Sequence, residues 1–96
     1  MTEKPRPTLQ VRVPDSVGQG HYANLAAVAS SDTEFVLDFA FVQPGNAQVQ
    51  VHTRVVLPPR HAKMLARILA DRVADYEQRN GEITLPNLAS GQFTTH

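Results

Sequence analysis

The chain contains no cysteine and no tryptophan, only four Phe and two Tyr, no net charge and no long apolar run. Each absence excludes something. Without cysteine there is neither a disulfide scaffold nor a thiolate zinc site. Nine Lys plus Arg balance nine Asp plus Glu, which excludes a strongly acidic or basic disordered tail. No segment approaches the ~20 apolar residues of a membrane-spanning helix. The start, Met1-Thr2-Glu3-Lys4-Pro5-Arg6-Pro7, lacks the apolar core of a secretory signal. What is present is 42% hydrophobic residues in a chain of 96. That predicts one small, soluble, cytoplasmic globular domain.

Residues 1–7 read as a disordered arm and residues 90–96 as a frayed tail, leaving one domain over 8–89. In Thr8-Leu9-Gln10-Val11-Arg12-Val13 the apolar residues fall on odd positions and the polar ones on even positions. That alternation predicts a half-buried strand, stopped by Pro14. Asp15 to Gly20 is a turn. Residues 21–30 suit either a short helix or a strand buried on both faces; their length between turn signals favours strand. Ser31-Asp32-Thr33 turns the chain into a strand over 34–42, with Phe35, Leu37, Phe39 and Phe41 on one face. Gln43-Pro44-Gly45-Asn46 has the proline-then-glycine order of a type II turn. A further strand over 47–57 follows, and Glu34 and Asp38 can pair with His52 and Arg54 across the resulting hairpin.

Pro58-Pro59 ends that strand and opens a helix over 60–80, with Ala62, Leu65, Leu69, Val73 and Tyr76 at spacings of three and four. Asn80-Gly81 is its stop. Ile83, Leu85 and Leu88 form a short extended segment expected to dock. The expected fold is α+β: a four-stranded antiparallel meander followed by one long C-terminal helix packed on one sheet face. Leu65, Leu69 and Val73 are then core residues, together with Phe35, Leu37, Phe39, Val49 and Val51. The opposite sheet face also carries aliphatic residues, among them Val36, Ala40 and Val56. A domain this small buries its own core only marginally. The second face predicts a homodimer or higher even oligomer.

The inventory for catalysis is thin. His21, His52, His61 and His96 show no metal-ligand spacing, and no carboxylate lies between residues 39 and 70. The serines lack a nucleophile elbow, and Gly18-Gln19-Gly20 lacks the strand-to-helix setting of a dinucleotide fingerprint. No catalytic residue, metal or cofactor is expected. The charge order is more informative. Arg54, Arg60, Lys63 and Arg67 occupy the acid-free stretch, while Asp71, Asp75 and Glu77 sit late in the helix. This reverses what the helix dipole favours. Those four cations are either a solvated face or a site for an anion, whether a phosphate, a nucleic-acid backbone or acidic residues of a partner.

The stretches His21-Tyr22-Ala23-Asn24, Glu34-Phe35-Val36-Leu37-Asp38-Phe39, Arg54-Val55-Val56-Leu57-Pro58, Tyr76-Glu77 and Gly81-Glu82-Ile83 resemble a widespread prokaryotic family of small proteins catalogued only as a domain of unknown function. The resemblance implies a shared fold over about residues 20–85 and no activity. Thr84-Leu85-Pro86-Asn87-Leu88 and Phe93 after the helix are similar to the end of the bacterial export chaperone SecB, a dimer of dimers that also places helix after four antiparallel strands. That likeness implies a protein-binding chaperone or adaptor. Four strands and a helix also resemble dimeric single-strand nucleic-acid binders of the transcriptional-coactivator and Pur-repeat type. Those present basic and aromatic residues on an open sheet face. Here the phenylalanines are assigned to the helix-covered face and the charges cancel, so nucleic acid is the alternative partner.

Overall fold

The computed structural model describes residues 8–86; the arm over 1–7, the tail over 90–96 and the docking residue Leu88 lie outside the described residues. The elements run α1 (Asp15–Gly18), β1 (Leu25–Ser30), β2 (Phe35–Ala40), β3 (Val51–Leu57) and α2 (Pro59–Asn80). The fold is α+β, an antiparallel three-stranded meander in the order β1-β2-β3 followed by the long helix. The chain over 21–30 contributes a strand, not a helix.

A fourth strand over Thr8–Val13 does not form. That segment is exposed and makes no backbone hydrogen bond to another described residue. Alternation records which face of a strand is apolar, not which neighbour it pairs with. Pro14 and the single helical turn α1 re-aim the chain before β1 begins.

Local chemistry accounts for the turns. Ser31 Oγ accepts from the amides of Thr33 (3.3 Å) and Glu34 (3.2 Å), and the Ser31 amide donates to the Glu34 carbonyl (2.9 Å). These bonds tie β1 tightly to β2. Beyond β2, Gly45 takes φ +86° behind Pro44, the left-handed third position of a type II turn. Asn24 extends the β1–β2 pairing with its side chain. Its Oδ1 accepts from the Val42 amide (2.7 Å) and its Nδ2 donates to the Val42 carbonyl (3.0 Å). At the far end of the chain, Gly81 (φ +93°) donates its amide to the Glu77 carbonyl and stops α2.

The register sorts the sheet into two faces. One carries Leu25, Ala27 and Ala29 of β1 with Val36, Asp38 and Ala40 of β2, and Arg54 and Val56 of β3. The other carries Ala26 and Val28 with Phe35, Leu37 and Phe39, then Thr53, Val55 and Leu57. The register slips between Phe39 and Ala40, where Ala40 faces Val51 and His52 is the extra residue. This bulge breaks the expected odd-even alternation of β3.

Among the described residues only Ala27, Asp38 and Ala40 are buried. Asp38, expected on an exposed face, has no accessible surface. Arg54 stands directly across from it and grips it with two bonds, Nε to Oδ1 (2.7 Å) and Nη2 to Oδ2 (2.8 Å). On its other side the cross-strand neighbour is the small Ala27. Asp38's hydrogen bond, and then its charge, hold the guanidinium more firmly protonated than usual. A raised pKa stabilises the fold below the arginine's ordinary range and is lost only as pH climbs beyond it, so the arginine adds no pH dependence near neutrality.

The expected helix-on-sheet core is not closed. Leu65, Leu69 and Val73 are exposed, as are Val49 and Val51, and Phe35, Leu37 and Phe39 are half-buried. A groove separates the first half of α2 from the sheet, leaving Leu65 and Leu69 open beside Phe35 and Leu37, and the helix is also too long for the sheet. A 22-residue helix is about 33 Å long, whereas strands of six or seven residues run about 20–24 Å. Helix α2 outruns the sheet whichever way it crosses. Ala62 is half-buried near the start of α2, and Met64, Ile68 and Tyr76 beyond it are exposed. The radius of gyration is 17.7 Å, against about 12 Å for a closed domain of this length.

Removing either partner of the charge pair exposes its weight. Arg54→Ala should lower stability, because a buried carboxylate loses a two-pronged partner. Asp38→Ala should also destabilise. The double variant should lose less than the two single losses combined, by about 0.5 kcal/mol or more. Urea unfolding followed by circular dichroism, at one fixed protein concentration, measures all three.

Candidate functional site

The four cations singled out in the sequence do not converge. Arg54 is committed to Asp38 on one sheet face. Lys63 borders the opposite face, beside Phe35 and Leu37. Arg60, Lys63 and Arg67 all lie on exposed positions of α2, whose first turn holds no acidic residue. Pro58 caps the helix without a side-chain hydrogen bond. The orphan amides at this end are relieved in part by Pro59, which has no N–H to satisfy.

The histidines cluster differently. The rings of His21 and His52 lie 5.2 Å apart at 31°. His52 Nε2 donates to the Tyr22 carbonyl (3.1 Å), and its Nδ1 accepts from the Thr53 hydroxyl (2.7 Å). The bulge at His52 aims this ring at the residues leading into β1, and Tyr22 meets Phe41 edge-on at 5.5 Å. These contacts anchor the segment before β1 to the hairpin. Both ring nitrogens of His52 are engaged, so it is held as a structural tie. Among the described residues no three His, Asp or Glu side chains gather as a metal site would require.

A further feature of the described residues is apolar. A groove of about 520 Å³ runs between α2 and the sheet. Val28, Phe35, Leu37 and Leu57 form its floor, and Ala62, Leu65 and Leu69 its helical wall. Lys63 lies along the rim, where its alkyl stem can cover apolar surface while the ammonium stays in water. The exposed stripe of α2 continues this surface through Ile68, Val73 and Tyr76. Ile83 folds back beside Val73 and Tyr76, its amide donating to Glu77 Oε2 (2.9 Å). Leu85 does not dock and stands exposed. Sequence periodicity identified the helical wall; it had no means of showing that the wall and the sheet stand apart.

A small α+β unit with an open, largely apolar groove is the class of protein that this geometry defines. The chain belongs to the family described as "Protein of unknown function (DUF3467)", which matches residues 1–85. No curated protein and no solved structure matches it. The SecB likeness of the C-terminal segment therefore finds no support among these matches. Among the described residues no helix is long and apolar enough to cross a membrane.

The cations early in α2 generate a stability test. Each charge misplaced against the helix dipole costs about 0.3–1 kcal/mol within the first turn. Arg60→Gln should therefore raise the melting temperature by about 1–8 °C. Lys63→Gln and Arg67→Gln, beyond the first turn, should add little. Differential scanning fluorimetry at low ionic strength reads the difference, and added salt should shrink it.

Proposed function

We propose that this protein is a non-catalytic, homo-oligomeric binding module whose partners are proteins, a second copy of itself among them. The observation that carries the reading is the apolar groove between α2 and the Val28-Phe35-Leu37-Leu57 face. A surface of that kind is covered in a working protein, since a contiguous apolar patch marks an interaction site. Self-association is the simplest supply of a matching apolar surface, because two copies related by a two-fold axis offer the same patch to each other.

Protein partners suit this surface better than nucleic acid. A single-strand binder needs cations and aromatic rings free together on one open face. Here Arg54 is engaged by Asp38, the phenylalanines of β2 share the groove side, and the formal net charge is zero. An adaptor or chaperone in the cytoplasm is the role that fits, with Lys63 at the groove rim and Arg60 and Arg67 elsewhere on α2 as weak contacts for an anion.

Multi-angle light scattering at micromolar concentration should return at least twice the 10.6 kDa chain mass. The pair Leu65→Glu and Leu69→Glu should reduce that mass to one chain while circular dichroism still reports helix. A parent chain that runs as a clean monomer removes the reading. Binding of a single-stranded oligonucleotide by the parent, lost in Arg60→Gln/Lys63→Gln/Arg67→Gln, replaces it with the nucleic-acid alternative.

A further inference from the structure

Two unsatisfied features of this chain have the same length and complementary needs. The first is the segment Thr8–Val13, six residues of alternating polarity with no backbone partner among the described residues. Leu9 is 89% exposed and Val11 88% exposed. Such alternation is useful only to a chain that lies against a sheet with one side covered. The second is the outer edge of β1, six residues reading Leu25-Ala26-Ala27-Val28-Ala29-Ser30.

An unpaired edge strand is normally blunted by proline, charge or a bulge. β1 has none of these, and its pairing with β2 runs unbroken from Leu25 to Ser30. The opposite edge of the sheet is different. β3 carries the bulge at His52 and the charge of Arg54, and it ends at Pro58 and Pro59. β1 is therefore the edge that calls for another strand.

We propose that residues 8–13 of one copy add as a fourth strand to the β1 edge of a second copy, each copy giving its arm to the other. This rests on the self-assembly proposed above and names the segments that join. Placed with Leu9, Val11 and Val13 on the side of Val28, the added strand covers that exposed valine and lengthens the floor of the groove. Thr8, Gln10 and Arg12 then fall on the other side. Residues 14–24 link the arm to β1 in the same chain, and eleven residues can span up to about 36 Å. That reach exceeds the width of a three-stranded sheet, about 14 Å, so the arm can cross to a neighbour. Reciprocal exchange satisfies both edges at once and closes the assembly at two copies. A single copy cannot show this strand, because its partner edge belongs to another chain.

The test uses the full chain, as a 1:1 mixture of isotope-labelled and unlabelled protein refolded together. Isotope-filtered NMR should show cross-strand contacts between residues 8–13 of one copy and 25–30 of the other. Gln10→Pro and Val11→Pro remove amide donors on opposite sides of the strand, so at least one should weaken dimerisation tenfold or more. Gln10→Ala, which keeps the donor, should leave it unchanged. Contacts confined to a single chain, contacts joining β1 to β1 across the two copies, or full-strength dimers from both proline variants overturn the proposal and leave self-assembly standing. A monomer in the same samples overturns both.

Discussion

Helix α2 is longer than the sheet it follows, and most of this protein's character descends from that mismatch. Where it leaves the sheet, most of its apolar stripe stays exposed, with Ile83 beside Val73 and Tyr76. Folding must offset a conformational entropy cost of about 1–2 kcal/mol per residue, chiefly by removing apolar surface from water. A chain whose buried described residues are two alanines and an aspartate has removed little. The deficit is located: it lies on Leu65, Leu69 and the sheet face below them. Exposed aliphatic residues also lie on the opposite sheet face, at Val56, but the groove gathers the larger share of them.

The other face of the sheet is organised by charge. Asp38 is buried and Arg54, with 61% of its side chain exposed, reaches over it. A buried carboxylate is weak as a source of stability, since desolvation cancels much of the attraction. Its strength is discrimination. Slipping β3 by two residues would set Asp38 against His52 or Val56, and the two-pronged bond would be lost. Register is otherwise loosely specified in short strands rich in alanine and valine. The pair, the Asn24 side-chain bridge to Val42 and the Ser31 turn act together to hold three short strands in one alignment. The side chains facing the groove are placed by that alignment.

The groove offers apolar contact on a backbone held in place, and little titratable chemistry. The histidines illustrate this. His21 and His52 stack at 5.2 Å, and both nitrogens of His52 are taken by local partners. They brace the segment before β1. The basic residues early in α2 stand near the groove but not in a closed cluster, so they can add steering more readily than specificity.

Residue order alone determined the β2–β3 hairpin and the long helix. Alternation marked strands over 34–42 and 47–57, which form over 35–40 and 51–57; proline and glycine marked the turn at 43–46, and apolar spacing of three and four marked the helix through Tyr76. The pairing of opposite charges across the hairpin was legible too, as was the stop at Gly81. These are local signals, carried by side chains within a few residues of each other. What tertiary structure decided was which surfaces meet. Thr8–Val13 has every mark of a strand, yet no described residue pairs with its backbone. Leu69 has every mark of a core residue, yet it is 59% exposed. Asp38, read as a surface charge, is the most enclosed polar side chain described. Periodicity specifies one side of a contact; the other side depends on lengths, angles and copies that no single stretch of residues contains.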